Sequence, residues 1–376
     1  MRVAIVVDWL TEVGGAERVL LAVHQLYPDA PIYTSQYRPR RIDWLKGADV
    51  RTGWLNVLPR GLRKFMAPLR VFYFKHLDLS EYDLVISIAN AEAKGVKTSL
   101  NSVHVAYLQG PPTQYYWGQY DAYIKNPGFG KLNFLARWGL KTLIKPMRKA
   151  DLAEAKRPDL LIANSNYVAD EIKKYYKRNS QVVYPPVDVS GLRHAKAKPV
   201  NPFGNAEFYV VTGRQVNWKR VDLAVDACIK TNRNLLVIGD GVEHVELLTR
   251  AAGHENIKFL PRYNGPAEIK QYLLAARGFI FCSIEPFGIS PVEALACGCP
   301  VLALKQGGSL DIIEDRVNGA FFGKQTVKSL TNGLNRFEQI KFSGKAVEKS
   351  VEKFDTEQFK RQFKDAINAE LELHEK

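Results

Sequence analysis

The chain is poor in cysteine, has no long apolar run and lacks the compact signatures of common phosphate chemistry. Of 376 residues only four are cysteine: Cys228, Cys282, Cys297 and Cys299, all in the second half and two of them one residue apart. That spacing is neither a disulfide framework nor a zinc-ligand set, so small buried thiols in a reducing compartment are expected. No apolar stretch reaches the roughly 20 residues of a membrane-spanning helix. The chain opens on Val3-Ala4-Ile5-Val6-Val7 without the basic region, apolar core and small-residue site of a signal peptide. It reads as a first strand, and a cytoplasmic location is expected. The loop after it holds Gly14-Gly15-Ala16 but no Gly-x-Gly-x-x-Gly, which disfavours the usual dinucleotide site. Gly323-Lys324 and Gly344-Lys345 lack the upstream glycine and the adjacent Ser or Thr of a P-loop, so ATP hydrolysis is not expected. There is no acidic cluster of metal-site type, no internal repeat and no low-complexity tract. Neither a metal nor a cofactor is expected.

What the chain does have is positive charge, with 53 Lys and Arg against 39 Asp and Glu and a formal net charge of +14. Nucleic acid, anionic lipid and phosphorylated small molecules could each neutralise it, and charge alone does not choose among them. The length exceeds the roughly 250 to 300 residues at which one core stops growing, so two domains are expected. Apolar runs at Val3 to Val7, Leu84 to Ile88, Val103 to Tyr107 and Leu160 to Ala163 read as strands. A second series follows at Phe208 to Thr212, Leu235 to Gly239, Ile257 to Leu260, Phe279 to Cys282 and Pro300 to Leu304. Val19, Leu20, Val23, Leu26 and Tyr27 have helical spacing. Strands separated by helices predict an α/β fold with two parallel-sheet domains. The hinge is placed in Tyr184-Pro185-Pro186-Val187-Asp188 and the Lys- and Pro-rich stretch after it. The expected domains are therefore residues 1–186 and 187–350, with a closing helix over 351–376 marked by Phe354, Phe359 and Phe363.

Open parallel sheets bind ligands at the carboxyl ends of their strands, so the chemistry is expected in the loops just after strands. Gly14 and Gly15 could let backbone approach an anion or could form a simple packing turn. After Phe208 to Thr212 come Arg214 and Lys219, a cationic pair matched to a diphosphate, though two solvated surface cations would look the same. The most informative segment runs from Glu285 through Phe287, Gly288, Ile289 and Ser290 to Glu293. Ser290, Pro291 and Glu293 fit the N-cap, N1 and N3 positions of a capping box. Capping does not explain Gly288 or Glu285, however. Backbone N–H groups of Gly288, Ile289 and Ser290 at a helix N-terminus would favour an anion, and flanking carboxylates suit sugar hydroxyls.

At these residues the chain resembles the retaining glycosyltransferases of family 4, which have the GT-B fold of two Rossmann-like domains facing across a cleft. Glu285 and Glu293, with seven residues between them, match the family's paired glutamates, and Ala-Cys-Gly-Cys-Pro-Val continues the match. The resemblance implies that Glu293 holds the donor ribose and Glu285 lies beside the transferred sugar. It further implies that Arg214 and Lys219 grip the diphosphate, that Phe287 to Ser290 bind through backbone, and that Gly14 and Gly15 meet the donor from the other domain. Arg262 is counted with the donor-binding residues. Glu285, Arg214 and Lys219 would be the catalytic ones, in a front-face mechanism without a protein nucleophile.

The likeness extends to bacterial mannosyltransferases of surface-polysaccharide assembly, through Asp8-Trp9-Leu10, Gly14-Gly15-Ala16-Glu17-Arg18-Val19, Asn164 to Val168 and Val183 to Asp188. It implies a nucleotide-sugar donor such as GDP-mannose and a glycan or lipid-linked saccharide acceptor. Where those relatives carry His-x-Pro-x-Arg-Tyr-x-Trp, this chain has Gln109 for the histidine and Gln114 for the arginine, with one residue inserted. Gln109, Tyr115 and Trp117 are the expected acceptor-side residues, and His104, inside a strand, does not replace the missing histidine.

A nucleotide-sugar epimerase or hydrolase on the same architecture remains an alternative, since fold does not fix chemistry. A nucleic-acid partner is not expected, because the motif-bound cations sit at strand ends and not along a stacking platform. An anionic membrane is expected to hold the protein peripherally, at the inner face of the cell membrane. The segment proposed for this runs from Leu55 to Leu77 and carries Arg60, Arg63, Lys64, Arg70 and Lys75 among Leu62, Phe65, Met66, Leu69, Phe72 and Tyr73. A second basic and apolar stretch runs from Lys131 to Arg148.

Overall fold

The computed structural model describes residues 1–11, 15–59, 66–113, 117–118, 120–125, 132–261 and 265–374. The chain divides into two compact units, Met1–Pro186 with Phe359–Lys376, and Val187–Gln358.

In chain order the first unit contains β1 (Val3–Val7), α1 (Gly15–Leu26), β2 (Ile32–Thr34), β3 (Val50–Thr52), α2 (Ala67–His76), β4 (Leu84–Ala89) and β5 (Val103–Leu108). There follow α3 (Tyr120–Lys125), α4 (Asn133–Glu154), β6 (Leu160–Ala163), α5 (Asn166–Tyr176) and β7 (Gln181–Val182). The sheet order is β3-β2-β1-β4-β5-β6-β7, with every pairing parallel. Its central strands are largely apolar because both faces are covered, with Ser87 of β4 and His104 of β5 as the polar exceptions. Ile5, Val7, Ile86, Ile88, Val105 and Tyr107 enter one core. Ala4, Val6, Val85, Ala106 and Leu108 enter the other, as the period of two along a strand dictates.

The second unit contains α6 (Val189–His194), β8 (Phe208–Thr212), α7 (Val221–Lys230), β9 (Asn234–Ile238), α8 (His244–Arg250), β10 (Ile257–Leu260), α9 (Pro266–Ala275) and β11 (Gly278–Phe281). After these come α10 (Ile289–Ala296), β12 (Val301–Leu304), α11 (Ser309–Ile312), β13 (Gly319–Phe322), α12 (Val327–Phe337) and α13 (Gly344–Lys349). Its parallel sheet has the order β10-β9-β8-β11-β12-β13. Both sheets have the doubly wound, Rossmann-like order in which the chain reverses direction of growth next to its first strand. Two such units in one chain are what the GT-B expectation requires.

The last helix, α14 (Thr356–His374), begins in the second unit and ends in the first. Phe359 and Phe363 stack on each other 5.3 Å apart and meet the Tyr107 ring edge-on. The closing helix is therefore a core element of the first unit.

The segment from Leu55 to Leu77 is not one interfacial helix. Arg60, Leu62, Arg63, Lys64 and Phe65 lie outside the described residues. α2 begins only at Ala67, with Pro68 in its first turn, where the missing N–H costs nothing. Arg70 is not a surface cation: it is buried and makes two hydrogen bonds to Glu92, at 2.8 and 3.3 Å. Met66 and Tyr73 are buried as well. Lys75 and Phe72 are exposed.

Candidate functional site

β8 and β11 are neighbours in the second sheet, and the strands that follow each are laid down in opposite directions. A crevice opens at the carboxyl ends of strands at such a point. The loop leaving β8 carries Arg214, exposed, then buried Gln215, then Lys219 at the end of a short 3-10 turn. Gln215 holds this loop to the next one: its amide donates to the Gly239 carbonyl at 2.7 Å, and its oxygen meets His244 Nδ1 at 2.6 Å. The loop leaving β11 carries Ser283 and Glu285. Lys219 Nζ lies 2.5 Å from Glu285 Oε1, and the Ser283 hydroxyl donates to the same oxygen at 2.6 Å. Both members of the ion pair are largely covered, at 19% and 17% side-chain exposure.

The capping box expected at Ser290 does not form. α10 starts two residues earlier, its N-cap is Gly288, and no side chain caps it. Gly288 has φ +115°, a conformation that only glycine adopts readily, and this lets the chain enter the helix sooner. Ser290 and Pro291 are then the second and third helical residues and Glu293 the fifth. The first-turn N–H groups of Ile289 and Ser290 have no partner within the helix, as at every helix start. Phe287 is buried with its ring 5.2 Å from that of Phe354, which leaves only its backbone for a ligand.

Sequence reading passed over the pair Gly307-Gly308 after β12. The Gly308 N–H donates to the Glu285 carbonyl at 2.9 Å, and a Cβ on Gly308 would run into the backbone of Phe287. These glycines thus let one loop lie directly on the Glu285 to Phe287 backbone. A glycine pair just after an apolar strand was the available signal. The structure joins Lys219 to Glu285 directly, continues from Glu285 into Phe287, Gly288, Ile289, Ser290 and Glu293, and leaves Arg214 exposed at the exit of β8. Gly15 is the first residue of α1 in the other unit. Gly14, Tyr115 and Arg262 lie outside the described residues.

The first sheet has its own reversal point, between β1 and β4, and a small pocket lies there. Asp8, Trp9, Glu17, Asn90 and Gln109 line it, with Val7, Leu10, Leu20 and Ile88. Buried Asp8 anchors the loop after β4 by accepting N–H groups of Asn90 at 2.6 Å, Ala91 at 2.9 Å and Ala93 at 2.7 Å. Burial and then nearby Glu92 push its carboxyl up, against the pull of those donors. The sequence marks Asp8 only as part of the Asp8-Trp9-Leu10 likeness and not as a site residue, and does not mark Asn90; a carboxylate directly after an apolar strand was the signal.

Gln109 lines this pocket, but Trp117 does not. The Trp117 indole N–H donates to Asp151 at 2.7 Å and its ring lies 4.9 Å from the Arg148 guanidinium. His104 is fully buried in β5, 2.9 Å from the Ser87 hydroxyl, and burial lowers its pKa to about 3. It is absent from the pocket, in keeping with its place inside a strand.

Beside Trp117, buried Lys94 meets Asp151 at 2.8 Å, and Asp151 also accepts from Thr113 and Tyr176. Glu154, one turn further along α4, is buried with no hydrogen-bond partner for either carboxylate oxygen among the described residues. Its pKa is pushed up to about 8, chiefly by burial. The four cysteines are all free and buried.

Residues 193–356 match the family model described as Glycosyl transferases group 1. The matched stretch lies within the second unit. Among curated proteins, an uncharacterized glycosyltransferase of Methanocaldococcus jannaschii is 26% identical over 46% of this chain and 47% of its own. The alpha-1,3/1,6-mannosyltransferase ALG2 of Mus musculus is 24% identical over 43% of this chain and 46% of its own. The chain spans about half the length of the curated relatives it matches. Among solved structures, Anabaena HepE in complex with UDP-glucose superposes with a TM-score of 0.68, covering 98% of this chain and all of that one at 19% identity. That likeness establishes the two-unit fold. The expectation of a glycosyltransferase is met at the level of the family domain. Among the described residues no helix is long and apolar enough to cross a membrane.

Proposed function

We propose that the chain is a retaining glycosyltransferase that takes a hexose from a nucleoside-diphosphate sugar held at the carboxyl edge of the second sheet. The observation that carries this reading is the convergence of Lys219 and Glu285 from two loops that flank the sheet's reversal point, with the start of α10 next in sequence. Arg214 and Lys219 bind the diphosphate and stabilise the charge that develops on it as it leaves. First-turn N–H groups of Ile289 and Ser290 add to this stabilisation. Glu293 accepts from the ribose hydroxyls and Glu285 from the transferred sugar. The bond from the anomeric carbon to the phosphate oxygen breaks, the acceptor oxygen bonds to that carbon on the same face, and its proton passes to the departing phosphate.

The donor proposed first is GDP-mannose, supported by the likeness to a mannosyltransferase; the UDP-glucose complex of HepE supports a nucleotide sugar in general. The acceptor is a glycan or lipid-linked saccharide whose hydroxyls meet Glu17, Asn90 and Gln109 in the first unit's pocket, and the protein works against an anionic membrane. Calorimetric titration with GDP, UDP and ADP tests the donor site, and failure of all three to bind would overturn the reading. Product analysis by NMR tests retention: a product with inverted anomeric configuration would exclude it.

A further inference from the structure

We propose that the outer face of α4 from Phe134 to Lys149 is the element that docks on anionic lipid, a placement that rests on the membrane-working reading above. α4 satisfies its need for burial on its inner side, where Ile144 and Met147 pack with Ala67 of α2. Its outer side is nonetheless apolar over the first turns: Phe134 is 65% exposed, Trp138 69% and Leu135 48%. Phe134, Trp138, Lys141, Lys145 and Lys149 recur at the i, i+4, i+7, i+11, i+15 spacing of one helix face. All three lysines are exposed. The face thus runs from large apolar groups into a stripe of cations.

From Ala122 to Ala150 the sequence holds no Asp or Glu, so no neighbouring acid in that stretch quenches the stripe. This is the chemistry of a helix lying in a bilayer surface, with Trp at headgroup depth and lysines reaching anionic headgroups. A second copy of the chain fits less well, since two such faces together would set lysine against lysine. α2, which packs beside α4, adds an exposed Phe72, whereas its Arg70 is spent on Glu92.

The test uses the full chain with vesicles of phosphatidylcholine alone and of phosphatidylcholine mixed with phosphatidylglycerol. Flotation should show binding only to the mixed vesicles, and less of it as salt rises. Replacing Lys141, Lys145 and Lys149 together by glutamate should lower the partition coefficient by about a hundredfold. Phe134→Ser with Trp138→Ser should also lower it, while Trp138→Phe should diminish fluorescence quenching by brominated lipid. Thermal melts and nucleoside-diphosphate titration of each variant report folding and the donor site separately. Intact donor binding with unchanged flotation of the α4 variants would overturn the docking assignment and spare the transferase reading. Lost flotation only in Arg60→Glu, Arg63→Glu and Lys64→Glu variants would overturn it in favour of the earlier segment. Concentration-dependent self-association abolished by Trp138→Ser would assign the face to a second copy instead. Vesicle binding that depends on α4 in a protein that binds no nucleoside diphosphate would support docking and remove the transferase reading.

Discussion

Lys219 and Glu285 meet at 2.5 Å across the reversal point of the second sheet, and Ser283 donates to the same carboxylate oxygen. The cation proposed for the diphosphate is thus held in place by the carboxylate proposed for the sugar. A diphosphate must draw Lys219 away from Glu285 or share it.

Glu285→Gln should therefore affect binding and turnover in opposite directions. With the competing charge gone, nucleoside-diphosphate affinity should rise by about fivefold, roughly 1 kcal/mol, the worth of a typical net hydrogen bond. Turnover should fall by about a hundredfold, on the scale of losing one preorganised polar group at a reacting centre. Titration and steady-state rates on one preparation check both, and weaker nucleotide binding would refute the competition.

Arg214→Ala and Glu293→Gln should weaken donor binding by about tenfold or more, as expected for loss of a hydrogen bond to a charged group. Because Glu293 sits at the fifth helical position and not in a capping box, its replacement should change stability by about 1 kcal/mol or less. Melting curves beside calorimetry separate the two effects.

Gly308→Ala should destabilise the second unit by about 1 to 3 kcal/mol through overpacking, because its Cβ would strike the Phe287 backbone. It should also disturb donor affinity through the Glu285 loop. Gly323→Ala is the control, with nothing within 4 Å of the new methyl, and chemical denaturation of both variants checks the difference.

Glu154 makes stability depend on pH. Its pKa is about 8 in the folded chain against an ordinary 4.5, so between those values the folded state keeps a proton that the unfolded state releases. Stability then falls as pH rises through that window. His104 acts with the opposite slope from about 3 to 6.5, leaving the Glu154 slope without that opposition above pH 6.5. Glu154→Gln should stabilise the protein by about 1 to 3 kcal/mol at pH 7 and make no such difference near pH 4. Melting temperature against pH for both proteins is the measurement.

Sugar transfer should proceed without added divalent metal, since Arg214 and Lys219 supply fixed positive charge to the leaving diphosphate. Loss of activity in EDTA that magnesium or manganese restores would count against this.

The long central strands were legible because burial on both faces writes them as unbroken apolar runs, as in Val3–Val7 and Phe208–Thr212. β2, β3, β7 and β13 were not, because strands of two to four residues at or near a sheet edge carry too little pattern. The Glu285 to Glu293 segment stood out through its unusual residues. The start of α10 was misplaced because Ser290, Pro291 and Glu293 satisfy a local capping rule, which a glycine at positive φ overrode. In the sequence Arg70 reads as a surface cation, because its partner, Glu92, lies 22 residues away and no local pattern announces a long-range ion pair.

Phe359 and Phe363 under Tyr107 have a consequence for biosynthesis. On the ribosome, residues 1–186 emerge before the second unit, yet their sheet stays uncovered beneath Tyr107 until the whole of the second unit has been translated and α14 follows it out. The second unit, by contrast, is contiguous from Val187 to Gln358 and can close on its own. The second unit can thus finish folding before the first, and the nascent first unit must keep an apolar face waiting for α14.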